Sequence, residues 1–106
     1  AYDPAAPLTG RTTEFLEAYK EKYGPDAYAA DVAALGFDAY LLAVKAIEKA
    51  GSVDGPALRD VLAQTEDFEG ATGYITLDEN GDAIKPAVIK TVRGGKIVYL
   101  SFVEPF

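Results

Sequence analysis

Residues 31–51, "DVAALGFDAYLLAVKAIEKAG", constrain this chain more than any other stretch. Their spacing predicts a helix that Asp31 is placed to cap and Gly51 to stop, with about 19 residues between. At about 100° per residue, the polar members Asp38, Lys45, Glu48 and Lys49 fall in one narrow arc. Val32, Leu35, Phe37, Tyr40, Leu42 and Ile47 occupy much of the rest of the circumference. A helix lying on a small domain shows a wider polar face than this. The segment calls for neighbours on several sides, more than 106 residues supply.

The flanking chain organises around that rod. "AYDPAAPLTG", residues 1–10, has two prolines and a glycine and is expected to be an extended connector. A first helix follows, with Thr12 or Thr13 as the capping hydroxyl and Glu14 in the first turn. Phe15, Tyr19 and Tyr23 recur every fourth residue with Leu16 alongside, and Gly24-Pro25 ends the helix. A third helix is predicted from about Pro56 to Thr65, capped by Asp54 or Gly55, with Leu58, Val61 and Leu62 as its buried stripe. From Gly70 the pattern turns to strands: "GYITL" alternates, "AVIKTV" is β-branched, and "KIVYLSFV" has the strongest strand signal. "RGGK", residues 93–96, predicts a tight hairpin between the last two. The order is three helices followed by three strands.

Composition narrows the function classes. Hydrophobic residues at 49% and charged residues at 25% fit a folded chain and argue against disorder. The longest apolar run is far short of the ~20 residues needed to cross a bilayer. No secretory leader pattern opens the sequence, which begins at Ala1 and has no methionine, so a mature, trimmed or excised piece is expected. A net charge of −7 gives no basic face for nucleic acid or for an anionic membrane. The absence of cysteine and histidine removes the thiol nucleophile, the commonest general base and the commonest transition-metal ligands. No nucleophile–base spacing is present, so neither enzymatic activity nor a cofactor is expected.

The acidic run Asp78, Glu79, Asn80, Gly81, Asp82 invites comparison with a calcium loop. An EF-hand loop places glycine at position 6 and glutamate at position 12. Counted from Asp78, those positions hold Ala83 and Lys90, and the flanking segments are strands. Asn80-Gly81 tolerates positive φ, so the run is expected to be a reversal after "GYITL".

Taken together, "FLEAYKEKYG", "AALGFDAYLLAVKAIEKAGSVDG", "FEGATGYITLDENGD" and the strand pair ending "RGGKIVYL" resemble the C-terminal part of type 1 periplasmic solute-binding proteins. The similarity is to the branched-chain (leucine/isoleucine/valine-type) amino-acid receptors of ABC transporters. It rests on the order and spacing of Gly36-Phe37-Asp38-Ala39 and of the glycine-punctuated segment from Gly70 to Asp82. The resemblance spans nearly the whole chain but only about the last third of a typical member. It implies an α/β fold of two lobes closing on a small solute about three crossing strands. Residues 1–86 would hold the helices and first strand of one lobe. Residues 87–106 would be the third crossing strand and a terminal hairpin. Serine and threonine residues that grip the solute carboxylate, and an acid that takes its ammonium, would lie upstream of this segment. What remains for this chain is the start of the second helix, which faces the cleft in relatives. Tyr28, Asp31 and Val32 are the ligand-binding candidates carried over, with helix capping the competing role for Asp31 and simple packing for Tyr28.

The expected function is therefore one part of a periplasmic or extracellular receptor, secreted or lipid-anchored, delivering a small amino acid or organic acid to an ABC permease. Two other readings share these residues. The same fold serves as the sensing domain of receptors and regulators. The isolated piece could also be a structural unit that binds nothing and forms a homodimer through its apolar helix and strand edges.

Overall fold

The computed structural model describes residues 2–105; Ala1 and Phe106, the outer ends of the expected connector and terminal hairpin, lie outside them. Three helices come first: α1 (Gly10–Tyr23), α2 (Asp31–Ala50) and α3 (Gly55–Leu62). Five strands follow: β1 (Phe68–Gly70), β2 (Gly73–Leu77), β3 (Ala83–Ile84), β4 (Ala87–Arg93) and β5 (Lys96–Val103). They form two antiparallel sheets, β1-β2-β3 and β4-β5. The expected α/β architecture of three helices followed by antiparallel strands is present. The strand count differs because β1 and β3 are three and two residues long, too short to leave a periodic signal.

Local chemistry explains most boundaries. Thr9, not Thr12 or Thr13, caps α1. Its Oγ1 accepts the Thr12 N–H at 3.2 Å while Thr12 Oγ1 accepts the Thr9 N–H at 3.3 Å, a reciprocal box that uses the Thr12 hydroxyl one turn further in. Asp31 is likewise the first helical residue and not the cap; Ala30 holds the cap position and offers no side-chain acceptor. Gly51 ends α2 as expected, in the left-handed region at φ 66°, with its N–H donating to Ile47 O. Asp54 caps α3 by accepting the Ala57 N–H, and the α3 stripe of Leu58, Val61 and Leu62 is half-buried rather than buried. The acidic run closes as a turn: Asp78 Oδ1 accepts from the N–H groups of Asn80 and Asp82, and Gly81 takes φ 85°.

The connector is packed, contrary to its proline-rich appearance. Tyr2 is 1% exposed and stands edge-on to Phe15, with ring centroids 6.2 Å apart. Together with Ala29, Ala34 and Ala71 these residues form the core, against which Leu16, Tyr19 and Phe37 pack. Tyr2 is recruited because its hydroxyl donates to Ala29 O at 3.0 Å, a long-range bond that no local pattern encodes.

The rest of the molecule is open. The Cα radius of gyration is 15.4 Å, where a compact domain of ~100 residues has about 13 Å. The accessible surface is 6915 Å², against about 5,700 Å² for a compact protein of this mass. Exposed apolar side chains include Val32, Leu35, Tyr40 and Ile47 on α2 and Val92, Ile97, Leu100 and Phe102 on the β4–β5 hairpin. Among the described residues, no helix is long and apolar enough to cross a membrane.

Candidate functional site

The start of α2 is fixed in space by an acid in its middle. Asp38 is 2% exposed, whereas its place in the polar arc predicts a solvent-facing side chain. Its Oδ1 accepts the Ala71 N–H at 2.7 Å; its Oδ2 accepts the Thr72 N–H at 2.9 Å and the Thr72 hydroxyl at 2.7 Å. Lys85 Nζ in turn donates to Thr72 Oγ1 at 3.0 Å. Burial pushes the Lys85 ammonium below its ordinary pKa, and the Asp38 carboxylate partly opposes that shift. The β1–β2 turn is held from the other side as well: Thr9 Oγ1 donates to Gly70 O at 2.7 Å and Thr12 Oγ1 to Ala71 O at 2.8 Å. Gly70 is required here, since a Cβ on it would sit 2.7 Å from Asp38 Oδ2. The two glycine-bearing motifs therefore meet, one supplying the carboxylate and the other the donors that satisfy it.

With α2 anchored in this way, its N-terminal end carries the three predicted ligand-binding residues. Tyr28 is 72% exposed and Val32 74% exposed, so both present an apolar surface to solvent. Asp31 stands between them in sequence but is engaged elsewhere. Its Oδ1 lies 3.8 Å from Lys90 Nζ, which is also 3.6 Å from Asp3 Oδ2. Asp31 is half-exposed, yet this Oδ1 is itself buried and accepts no hydrogen bond, so the Lys90 charge is what compensates it. Tyr28 and Val32 are thus exposed while Asp31 is tied to β4. The helix end itself has no side-chain cap: the Ala33 and Ala34 N–H groups donate to Ala30 O, and those of Asp31 and Val32 have no side-chain acceptor. What this surface can do chemically is bind: it offers an aromatic ring, a branched aliphatic side chain and backbone donors.

Comparison with known proteins places this geometry. A family described as periplasmic binding protein matches residues 1–96. The chain belongs to the periplasmic binding protein family. Among solved structures, a leucine binding protein, LivK, from Thermotoga maritima is 41% identical with a TM-score of 0.86. The branched-chain amino acid transporter substrate binding protein LivJ from Streptococcus pneumoniae, solved in complex with isoleucine, is 30% identical with a TM-score of 0.82. Each match covers 98% of this chain and 29% of the other. This chain of the family thus spans under a third of those relatives, in keeping with its open shape and uncovered α2.

Four residues that position the site were not singled out from the sequence. Asp3 and Lys90 lie in segments chosen for their proline content and strand pattern, with nothing to pair them across the chain. Thr72 and Lys85 converge on Asp38 from 34 residues away and from beyond the hairpin. The one available signal was an acid inside an unusually apolar helix, followed later by a Gly-Ala-Thr-Gly turn rich in free N–H groups.

Proposed function

We propose that this chain is part of an extracytoplasmic receptor that captures a branched-chain or related amino acid and delivers it to an ABC permease by closure of two lobes. The observation that carries the reading is the 41% identity to a leucine binding protein over 98% of this chain. The isoleucine complex of the second relative supports the same solute class. In this reading residues 2–86 belong to one lobe, and β4 and β5 form the crossing strand and terminal hairpin. Tyr28 and Val32 contribute to the cleft wall, with Asp31 beside them at the start of α2. The Tyr28 ring and the Val32 side chain offer apolar surface, which suits an aliphatic ligand.

Isothermal titration of the full-length gene product with leucine, isoleucine, valine and aromatic amino acids tests the proposal. Saturable binding of at least one branched-chain amino acid is the expected result, and silence across the whole panel would refute it. Val32→Asp should weaken that binding by about tenfold or more, since it sets a charge against an aliphatic side chain. A second reading, self-association without a ligand, draws on the exposed α2 face, and its test is the oligomeric state of the isolated chain.

A further inference from the structure

We propose that Lys90 is a positioning residue: its ammonium group ties β4 to the connector and to the start of α2, and so sets the angle at which the β4–β5 hairpin leaves the helical body. The inference rests on the functional reading above in one respect, that β4 crosses between lobes.

The geometry of the ion triad is the first support. One nitrogen lies within 4 Å of two carboxylates from separate segments, Asp3 at 3.6 Å and Asp31 at 3.8 Å. The Lys90 and Asp3 side chains are only 25% and 11% exposed, so solvent screens this contact less than an ordinary surface pair. Asp3 is itself fixed, with its Oδ1 accepting the Ala5 N–H at 2.8 Å. Without Lys90, the Asp3 and Asp31 carboxylates would lose the cation they share.

The second support is how little else within these 106 residues holds the hairpin. Strands β4 and β5 pack chiefly on each other, and neither packs extensively on a helix. Among the described residues, no backbone hydrogen bond joins residues 87–103 to the helices or the connector.

The third support is a β-bulge at this point. Ile89 pairs with Ser101 and Lys90 with Tyr99, so Leu100 is passed over and the register shifts between Ile89 and Lys90. A bulge bends a ribbon and re-aims the side chain beside it. The extra residue, Leu100, lies on β5 opposite the Ile89–Lys90 step, and Lys90 is the β4 side chain at that bend that reaches Asp3 and Asp31. A flat ribbon would lack this local change of direction.

Spin-label distances in the unliganded full-length gene product test the proposal, with labels at Lys49→Cys on α2 and Lys96→Cys at the start of β5. The unsubstituted Lys90 background should give one narrow distribution. Lys90→Met and Asp3→Asn should each broaden or displace it, while Lys90→Arg, which keeps the charge, should restore it. Asn at position 3 can still accept from Ala5, so that variant removes charge without removing the local bond. If the Lys90→Met distribution superimposes on the parent's, Lys90 does not orient the hairpin. Should Lys90→Met fail to fold by circular dichroism, Asp31→Asn takes its place: a broadened distribution supports the triad and an unchanged one overturns it. A leucine titration of the parent runs alongside. Its failure would remove the receptor reading and leave the distance result to judge Lys90 independently.

Discussion

Replacing Asp38 by asparagine changes one atom's chemistry at constant shape, and the consequence can be worked from the three bonds that the carboxylate accepts. Whichever way the amide is turned, one of its two positions becomes a donor. With the amide oxygen at the Oδ2 position, both Thr72 bonds survive and the Ala71 N–H, formerly accepted at 2.7 Å, faces another N–H. A bond to a charged group contributes ~1.5–3 kcal/mol, and a buried donor left without a partner adds ~1–3 kcal/mol. Because those figures overlap in part, a net loss of about 2–4 kcal/mol is expected. With a urea slope of ~2 kcal/mol per molar, the unfolding midpoint should fall by about 1–2 M. The second half of the test is Gly70→Ala, whose Cβ would lie 2.7 Å from Oδ2, 2.8 Å from Cγ and 3.0 Å from Oδ1 of Asp38. The carboxylate must swing away, so the same donors are lost by a different route. In an Asp38→Ala background those three contacts are gone, and Gly70→Ala should cost far less than in the parent. Circular dichroism during equilibrium urea unfolding measures Asp38→Asn and the four proteins of the Asp38→Ala/Gly70→Ala cycle. Asp38→Asn within about 0.5 kcal/mol of the parent, or additive costs across the cycle, would refute the buried-anchor argument.

Tyr2 gives the chain a stability that depends on alkaline pH. Burial, aided by the nearby Asp31 charge, pushes its hydroxyl from 10.0 up to about 12. The raised value means that the contribution is complete below pH ~10 and is lost as pH rises through about 12, by roughly 1–2 kcal/mol after allowance for screening. Tyr2→Phe should lack that extra loss while other alkaline titrations remain common to both proteins; parallel urea midpoints from pH 9 to 12 would contradict it. Thr9→Ala should destabilise by about 1–2 kcal/mol through loss of the α1 cap and the bond to Gly70 O, whereas exposed Thr13→Ala should be nearly neutral in thermal melts. The isolated 106-residue chain should self-associate in sedimentation velocity, and Tyr40→Lys with Ile47→Lys should shift it toward monomer; a clean monomer at high concentration would count against the apolar face as the cause.

The elements whose cause is local could be read from the sequence. Gly51 and Asp54 mark helix ends through the conformation or acceptor they supply within a few residues, and Gly94 and Gly95 take φ 58° and 76° as the β4–β5 hairpin requires. The turn at residues 78–82 follows from the same kind of short-range bonding. The apolar circumference of α2 was legible too, and within these residues Val32, Tyr40 and Ile47 remain uncovered. Tertiary structure decided everything whose cause is distant. Asp38 lies in the polar arc, where periodicity favours water, but three donors on a hairpin more than 30 residues later stabilise its burial. Tyr2 becomes core because α2 brings Ala29 O within reach, and Asp31 is an ion-pair partner and not a cap because β4 brings Lys90 beside it. Periodicity records which side chains favour burial on average; where a buried polar group finds its donors depends on which segments meet.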